Sequence, residues 1–180
     1  MDSYPLLILM QQILEFQNKK VIFREYNFDL DPPKIVKFLY DEMNSDEGIL
    51  KLREGDAWFH DSLITRVRLV AEIDGELYAT CNLEGCLGRT PNDKFRLTSV
   101  VTSSNFRGTG LSRLMFNFAC EWAKLHGGRM LLVETWDSNF VAKAFYEKIG
   151  FKQYGILPNG LVNRKGKGFV DEILYYFNLK

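Results

Sequence analysis

The stretch SSNFRGTGLSRLM, residues 103–115, sets Arg107, Gly108 and Gly110 directly before a run whose apolar residues recur at helical spacing. A helix N-terminus leaves its first backbone N–H groups unpaired and carries roughly half a positive charge, so it can seat a phosphate. Glycines there let the anion approach the main chain. The dipole alone contributes about 0.3–1 kcal/mol, whereas each hydrogen bond to a charged group contributes about 1.5–3 kcal/mol, so several converging amides dominate. Further along, Glu134 ends an apolar run and Tyr146 lies in a second helical pattern.

Two common phosphate motifs do not fit the glycines. A Walker A loop needs Gly-Lys-Ser/Thr, and none follows Gly110. The dinucleotide pattern G-x-G-x-x-G begins at Gly108 and Gly110, with Glu134 at about the distance of a ribose-binding acid, but Arg113 occupies its third glycine position. An antiparallel meander also precedes the turn where that motif requires a βαβ unit.

The elements that must position these residues read as follows. From residue 111, Leu111, Leu114, Met115, Phe118, Ala119, Trp122 and Leu125 form one apolar face, and Gly127-Gly128 ends the helix. RMLLVETW is a short buried strand. DSNFVAKAFYEKIG is a second helix, capped by Asp137 or Ser138 and closed by Gly150, with Phe140, Val141, Ala144 and Phe145 as its buried stripe and Tyr146 turned roughly 100° away from Phe145. Strand, turn, helix and strand make a crossover whose two strands run parallel.

Upstream, RVRLVAEIDGELYATCNLEG predicts two antiparallel strands, about residues 65–73 and 76–84, joined by an Asp74-Gly75 turn. KFRLTSVVT is a third strand of that meander. VIFREYNF reads as a strand, and LDPPKIVKFLYDEM as a helix with Asp31 as N-cap and prolines in its first turn. Residues 44–62 give mixed signals. FKQYGIL and VDEILYYF are strands across a loop at residues 158–168. The opening segment reads as an amphipathic helix over residues 1–20, with Leu6, Leu9, Met10, Ile13, Leu14 and Phe16 as a stripe that packs on the domain or on a second copy of the chain. The sum is one α+β domain.

Lysine plus arginine and aspartate plus glutamate are 23 each, so the formal charge is zero and gives no global case for nucleic acid or an anionic membrane. The apolar run near the start is short, stops at Gln11 and is preceded by Asp2 rather than basic charge, so neither export nor membrane spanning is supported as a reading. Cys81, Cys86 and Cys120 form no C-x-x-C pair, arguing against a disulfide framework and zinc. A reducing cytoplasm is expected. His60 and His126 lack metal-ligand spacing, and no metal is expected. The basic loop NRKGKG, residues 163–168, is read as a solvated tip or as a guide for an anion.

FRGTGLS resembles the Arg-Gly-x-Gly-Leu/Ile-Gly/Ala signature of the Gcn5-related N-acetyltransferase family, and NFVAKAFYEKIGF, residues 139–151, resembles its second hallmark, Asn-x-x-Ala-x-x-x-Tyr-x-x-x-Gly-Phe. The likeness is strongest over residues 66–157. It implies an α+β fold with a mixed, mostly antiparallel sheet, a splayed central parallel pair and flanking helices. It further implies an acetyl-CoA-binding core at 65–157, an acceptor-side region at 21–64 that varies in the family, and a C-terminal loop and strand at 158–180.

The same resemblance implies an acetyl-CoA-dependent transferase acting by direct attack of an amine in a ternary complex, the acceptor being a small molecule or a protein amine. Backbone amides of Arg107, Gly108, Thr109, Gly110, Leu111 and Ser112 would wrap the pyrophosphate, and main-chain groups of Val100, Val101 and Thr102 would pair with the pantetheine arm. Asn139 would bond the pantetheine or its neighbouring loop, and Phe145 would wall the channel. Tyr146 takes the position of the general acid, facing the sulfur or, alternatively, packed on the sheet. Glu134 is the candidate base, with a structural carboxylate or a water relay as alternatives; Glu72 and Glu84 are weaker candidates. Ser112 departs from the family's Gly or Ala and is either a spacer or an added phosphate ligand. A non-catalytic acyl-CoA-binding module of the same fold is the alternative function.

Overall fold

Gln17 and Asn18 both adopt left-handed backbone angles, φ 51° and 60°, and turn the chain between antiparallel strands β1 (Gln11–Phe16) and β2 (Lys19–Glu25). The helix expected over residues 1–20 is therefore absent from its second half. Ile13, on the expected helical stripe, is 52% exposed, while Leu14 and Phe16, two apart, pack on the core as a strand's period requires. The computed structural model describes residues 10–26, 32–43, 66–85, 93–163 and 168–180. The readings for residues 1–9, Asp31, 44–65, Cys86 and 164–167, His60 among them, lie outside the described residues.

The remaining elements follow in chain order. They are α1 (Pro32–Met43), β3 (Arg66–Ile73), β4 (Glu76–Gly85), β5 (Lys94–Thr102), a 3-10 turn (Ser104–Phe106), α2 (Leu111–Leu125), β6 (Met130–Trp136), α3 (Phe140–Ile149), β7 (Lys152–Val162) and β8 (Phe169–Asn178). The eight strands form one sheet in the order β1-β2-β3-β4-β5-β6-β8-β7. Asp74 and Gly75, at φ 53° and 83°, turn β3 into β4 as the dipeptide predicts. β5 and β6 run parallel, and all other pairs are antiparallel. This is the mixed sheet with a central parallel pair that the resemblance implies.

Side-chain alternation divides the strands between two layers. Leu69, Ala71, Leu83, Leu97, Leu131 and Val133 pack against Leu111, Met115, Phe118 and Trp122 of α2 and Tyr146 and Ile149 of α3. Val70 and Leu77 meet Ile35, Phe38 and Leu39 of α1 on the opposite face. Each fully buried aliphatic or phenyl side chain contributes about 1.5–3 kcal/mol, so this central layer fixes where the helix ends stand.

Two further readings of the sequence need correction. α3 is capped by Asn139, whose Oδ1 accepts from the Ala142 N–H at 3.3 Å, rather than by Asp137 or Ser138. β7 continues through Pro158 to Val162, so the β7–β8 loop begins later than residue 158. β7 is an edge strand, where a proline deprives no ladder of a donor, and a bulge between Leu157 and Leu161 accommodates it.

Candidate active site

β5 and β6 pair through three residues only, Lys94 with Met130, Phe95 with Leu131 and Arg96 with Leu132. Beyond them β5 continues to Thr102 and β6 to Trp136, so the two strands splay apart. On its other edge β5 carries a bulge: Asn82 pairs with Thr98 and Thr80 with Val101, which leaves Cys81 opposite both Ser99 and Val100. Ser99 sits there at φ 50°, a conformation a non-glycine residue adopts at a cost. The bulge re-aims the end of β5 towards the α2 N-terminus.

That N-terminus is built by two left-handed glycines. Gly108 has φ 74° and Gly110, the N-cap of α2, φ 106°. A Cβ at Gly108 would meet nothing within 4 Å, so the main chain there is open to approach. The Arg107 and Thr109 amides close turns on Ser104 and Phe106, whereas the N–H groups of Gly108, Gly110, Leu111 and Ser112 bond to no described residue. These four amides and the helix dipole form the cradle that an anion would occupy.

The predicted cofactor residues do not all fall in one place. Val100, Thr102, Ser112 and Phe145 line a single small pocket together with Thr80, Cys81, Leu97, Met115 and Phe116. Val101 instead faces the α1 cluster. Thr109 spends its hydroxyl on the Phe106 carbonyl at 2.7 Å. Ser112 shares a hydrogen bond with the Thr102 hydroxyl at 2.9 Å. Asn139 commits both ends of its amide, Oδ1 to the helix cap and Nδ2 to Thr135 Oγ1 at 3.1 Å, which ties α3 to β6. Arg107 donates from Nε to the Thr102 carbonyl at 3.2 Å and pairs through Nη2 with Glu42 Oε2 at 3.1 Å.

The two acid–base candidates lie on opposite sides of β6. Val133 packs into the α2/α3 layer, so alternation turns Glu134 to the other face of β6. Burial holds the Glu134 carboxyl above its ordinary range; Arg96, 3.1 Å away, opposes this, while Glu172 and Glu84 add to it. Tyr146 lies on the buried side of α3, 7% exposed, among the rings of Phe145, Phe151 and Tyr175. The expected stripe of Phe140, Val141 and Ala144 is instead the exposed side, with Phe140 72% and Val141 83% exposed. Burial raises the Tyr146 phenol well above its usual value, and the Cys81 and Glu134 charges push the same way. The phenol is therefore protonated at neutral pH, and Glu134 is near enough to influence it electrostatically.

Sequence reading missed Arg96 and Glu42, and gave no place at the site to Cys81, which lines the pocket. Cys81 and Cys120 are free thiols, both raised by burial to about 12, so neither is a thiolate nucleophile. Arg96 and Glu42 act through partners 38 and 65 residues distant (Glu134 and Arg107), and no local pattern announces such pairs. Among the described residues no group of three His, Cys, Asp or Glu side chains is placed to hold a metal, and no helix is long and apolar enough to cross a membrane.

Known proteins share this architecture. The structure of an acetyltransferase of the GNAT family from Streptococcus pneumoniae matches with TM-score 0.67 at 22% identity, covering 88% of this chain and 99% of that one. The GNAT domain of S. lividans PAT matches with TM-score 0.71 at 19% identity, covering 98% and 100%. The ribosomal-protein-S18-alanine N-acetyltransferase from Escherichia coli matches with TM-score 0.68 at 17% identity, covering 89% and 94%. At such identities the likeness concerns the fold. No curated protein matches the sequence. The model of the acetyltransferase (GNAT) family matches residues 33–151, which takes in α1, the splayed pair, the glycine turn and all of α3. The chain therefore belongs to the Gcn5-related N-acetyltransferase family.

Proposed function

We propose that the protein is an acetyl-CoA-dependent N-acetyltransferase that acylates a primary amine by direct attack in a ternary complex. The observation that carries this reading is a small pocket, lined by Val100 and Thr102 of splayed β5, Phe145 of α3 and Ser112, at the α2 N-terminus whose amides bond to no described residue. The free amides of Gly108, Gly110, Leu111 and Ser112 suit a pyrophosphate. The pocket lined by Val100, Thr102, Ser112 and Phe145 suits a narrow, largely apolar arm. Acetyl-CoA, when bound, supplies an acetyl group activated as a thioester.

The chain's own groups then divide the proton work. Tyr146 holds a proton at its phenolic oxygen for the departing thiolate. Glu134, a carboxylate of raised proton affinity, accepts the proton that the amine loses on attack. Glu84 and Glu172, whose charges reach Glu134, favour approach of a cationic acceptor. Neutralising a lysine-like amine of pKa about 10.4 at pH 7 costs about 4.6 kcal/mol, and an α-amine about 1 kcal/mol. Positioning two reactants contributes about 7–11 kcal/mol, so either class is within reach. The buried free thiols Cys81 and Cys120 support a reducing, cytoplasmic setting.

Incubating the purified chain with radiolabelled acetyl-CoA and a panel of polyamines, amino acids, aminoglycosides and peptide α-amines tests the reading. Transfer of label to at least one amine supports it. Tight acetyl-CoA binding with no transfer across the panel would favour a non-catalytic acyl-CoA module instead.

A further inference from the structure

Glu42, near the C-terminal end of α1, reaches across to the glycine turn. Its carboxylate accepts from the Ser104 backbone N–H at 2.8 Å, from the Ser104 hydroxyl at 3.4 Å and from Arg107 Nη2 at 3.1 Å. The Glu42 side chain is only 11% exposed, while that of Arg107 is 59% exposed. A carboxylate placed beside an anion cradle opposes anion binding by its charge, so its presence there asks for a reason.

The geometry of Arg107 supplies one. A guanidinium carries five N–H donors in a fixed plane. Arg107 spends Nε on the Thr102 carbonyl and one Nη2 donor on Glu42, which fixes the plane from two sides, one at the end of β5 and one on α1. Its Nη1 donors bond to no described residue, and the side chain as a whole is largely exposed. A long side chain held in this way gives up its rotamer freedom before a ligand arrives, and the pairing neutralises the carboxylate that holds it.

We infer that Glu42 is a positioning residue of the cofactor site: it fixes Arg107 and the Ser104 turn so that the free edge of the guanidinium faces the pyrophosphate. The inference rests on the acetyl-CoA reading above. It also makes α1, which lies within the expected acceptor-side region at 21–64, part of the cofactor cradle.

A double-mutant cycle in coenzyme A binding, read by calorimetry on the full chain, tests this. Arg107→Met and Glu42→Ala each weaken binding by about tenfold, and the double variant loses well under the product of the two, because Glu42 acts in part through Arg107 and otherwise only through the Ser104 turn. Glu42→Gln, which keeps an acceptor for Ser104, falls between wild type and Glu42→Ala. If the alanine variant fails to fold by circular dichroism, the glutamine variant runs the same cycle, with the same non-additivity expected. Binding by Glu42→Ala or Glu42→Gln as tight as wild type or tighter, or losses that multiply in the double variant, overturns the inference and leaves the acetyl-CoA reading intact. A wild-type protein that binds no coenzyme A overturns both.

Discussion

Thr102 Oγ1 and Ser112 Oγ share one hydrogen bond of 2.9 Å, joining the last residue of β5 to the first turn of α2 across the whole glycine turn. Ser112 stands where the family most often has Gly or Ala, and the bond gives its hydroxyl a partner inside the chain. The serine thus fastens the two ends of the cradle, a role that a glycine could not fill.

Ser112→Ala removes that fastening and leaves the Thr102 hydroxyl without it. The expected loss of stability is about 1 kcal/mol, with coenzyme A affinity changed by less than about threefold. Denaturant unfolding and calorimetric titration measure the two separately. An affinity loss of about tenfold with unchanged stability would make Ser112 a phosphate ligand.

Asn139 is the corresponding test on α3. Its Oδ1 caps the helix at Ala142 and its Nδ2 holds Thr135, so Asn139→Ala removes both and costs about 1–2 kcal/mol. Asn139→Asp keeps the cap acceptor and loses the bond donated to Thr135, so it recovers most of that stability. Thermal melting of the pair reads the order. An alanine variant that melts with wild type yet loses coenzyme A would return Asn139 to the cofactor.

The crossover unit was legible because each signal in it is local: seven apolar residues at helical spacing, a Gly127-Gly128 stop, and two motifs on adjacent turns. The N-terminal hairpin was not, because Met10, Ile13, Leu14 and Phe16 satisfy a helical stripe almost as well as a strand. Only pairing with β2, and β2 with β3, decides the matter. The buried face of α3 escaped for the same reason. Phe140 and Val141 are apolar, but they lie in the first turn, beyond the reach of the sheet, and the face that packs is Ala142, Phe145, Tyr146 and Ile149. Glu134 and Tyr146 were visible as candidates, whereas the ion pairs that set their surroundings join distant segments.

Glu134 gives a pH signature. Its carboxyl is raised by burial, against the pull of Arg96 and with the push of Glu172 and Glu84, so its acidic limb lies above the ordinary carboxylate value of 4.5. Base catalysis needs the charged form, so activity falls as pH drops through this raised pKa. An amine acceptor must also lose a proton, so the acidic slope of log kcat/KM approaches about two in wild type and about one in Glu134→Gln, with kcat lower by about 10²–10⁴-fold. A pH–rate series on both proteins checks the slopes. Equal slopes would leave the base to a water relay.

Tyr146 separates function from packing. Its ring is enclosed by Phe145, Phe151 and Tyr175, and its hydroxyl makes no hydrogen bond with a described residue. Tyr146→Phe keeps the ring contacts and removes only the oxygen, so melting temperature is retained or slightly raised. Coenzyme A binding is unchanged within about twofold, while turnover falls by at least about tenfold, because the departing thiolate loses its proton donor. The phenol is raised by burial first and by the Cys81 and Glu134 charges next, so it stays protonated as pH rises past its ordinary value of 10.0, and wild-type kcat shows no decline from it below that pH. Steady-state kinetics from pH 6 to about 10, with a parallel binding titration, test both statements. Unchanged turnover in the phenylalanine variant removes Tyr146 from the mechanism and leaves it a core aromatic.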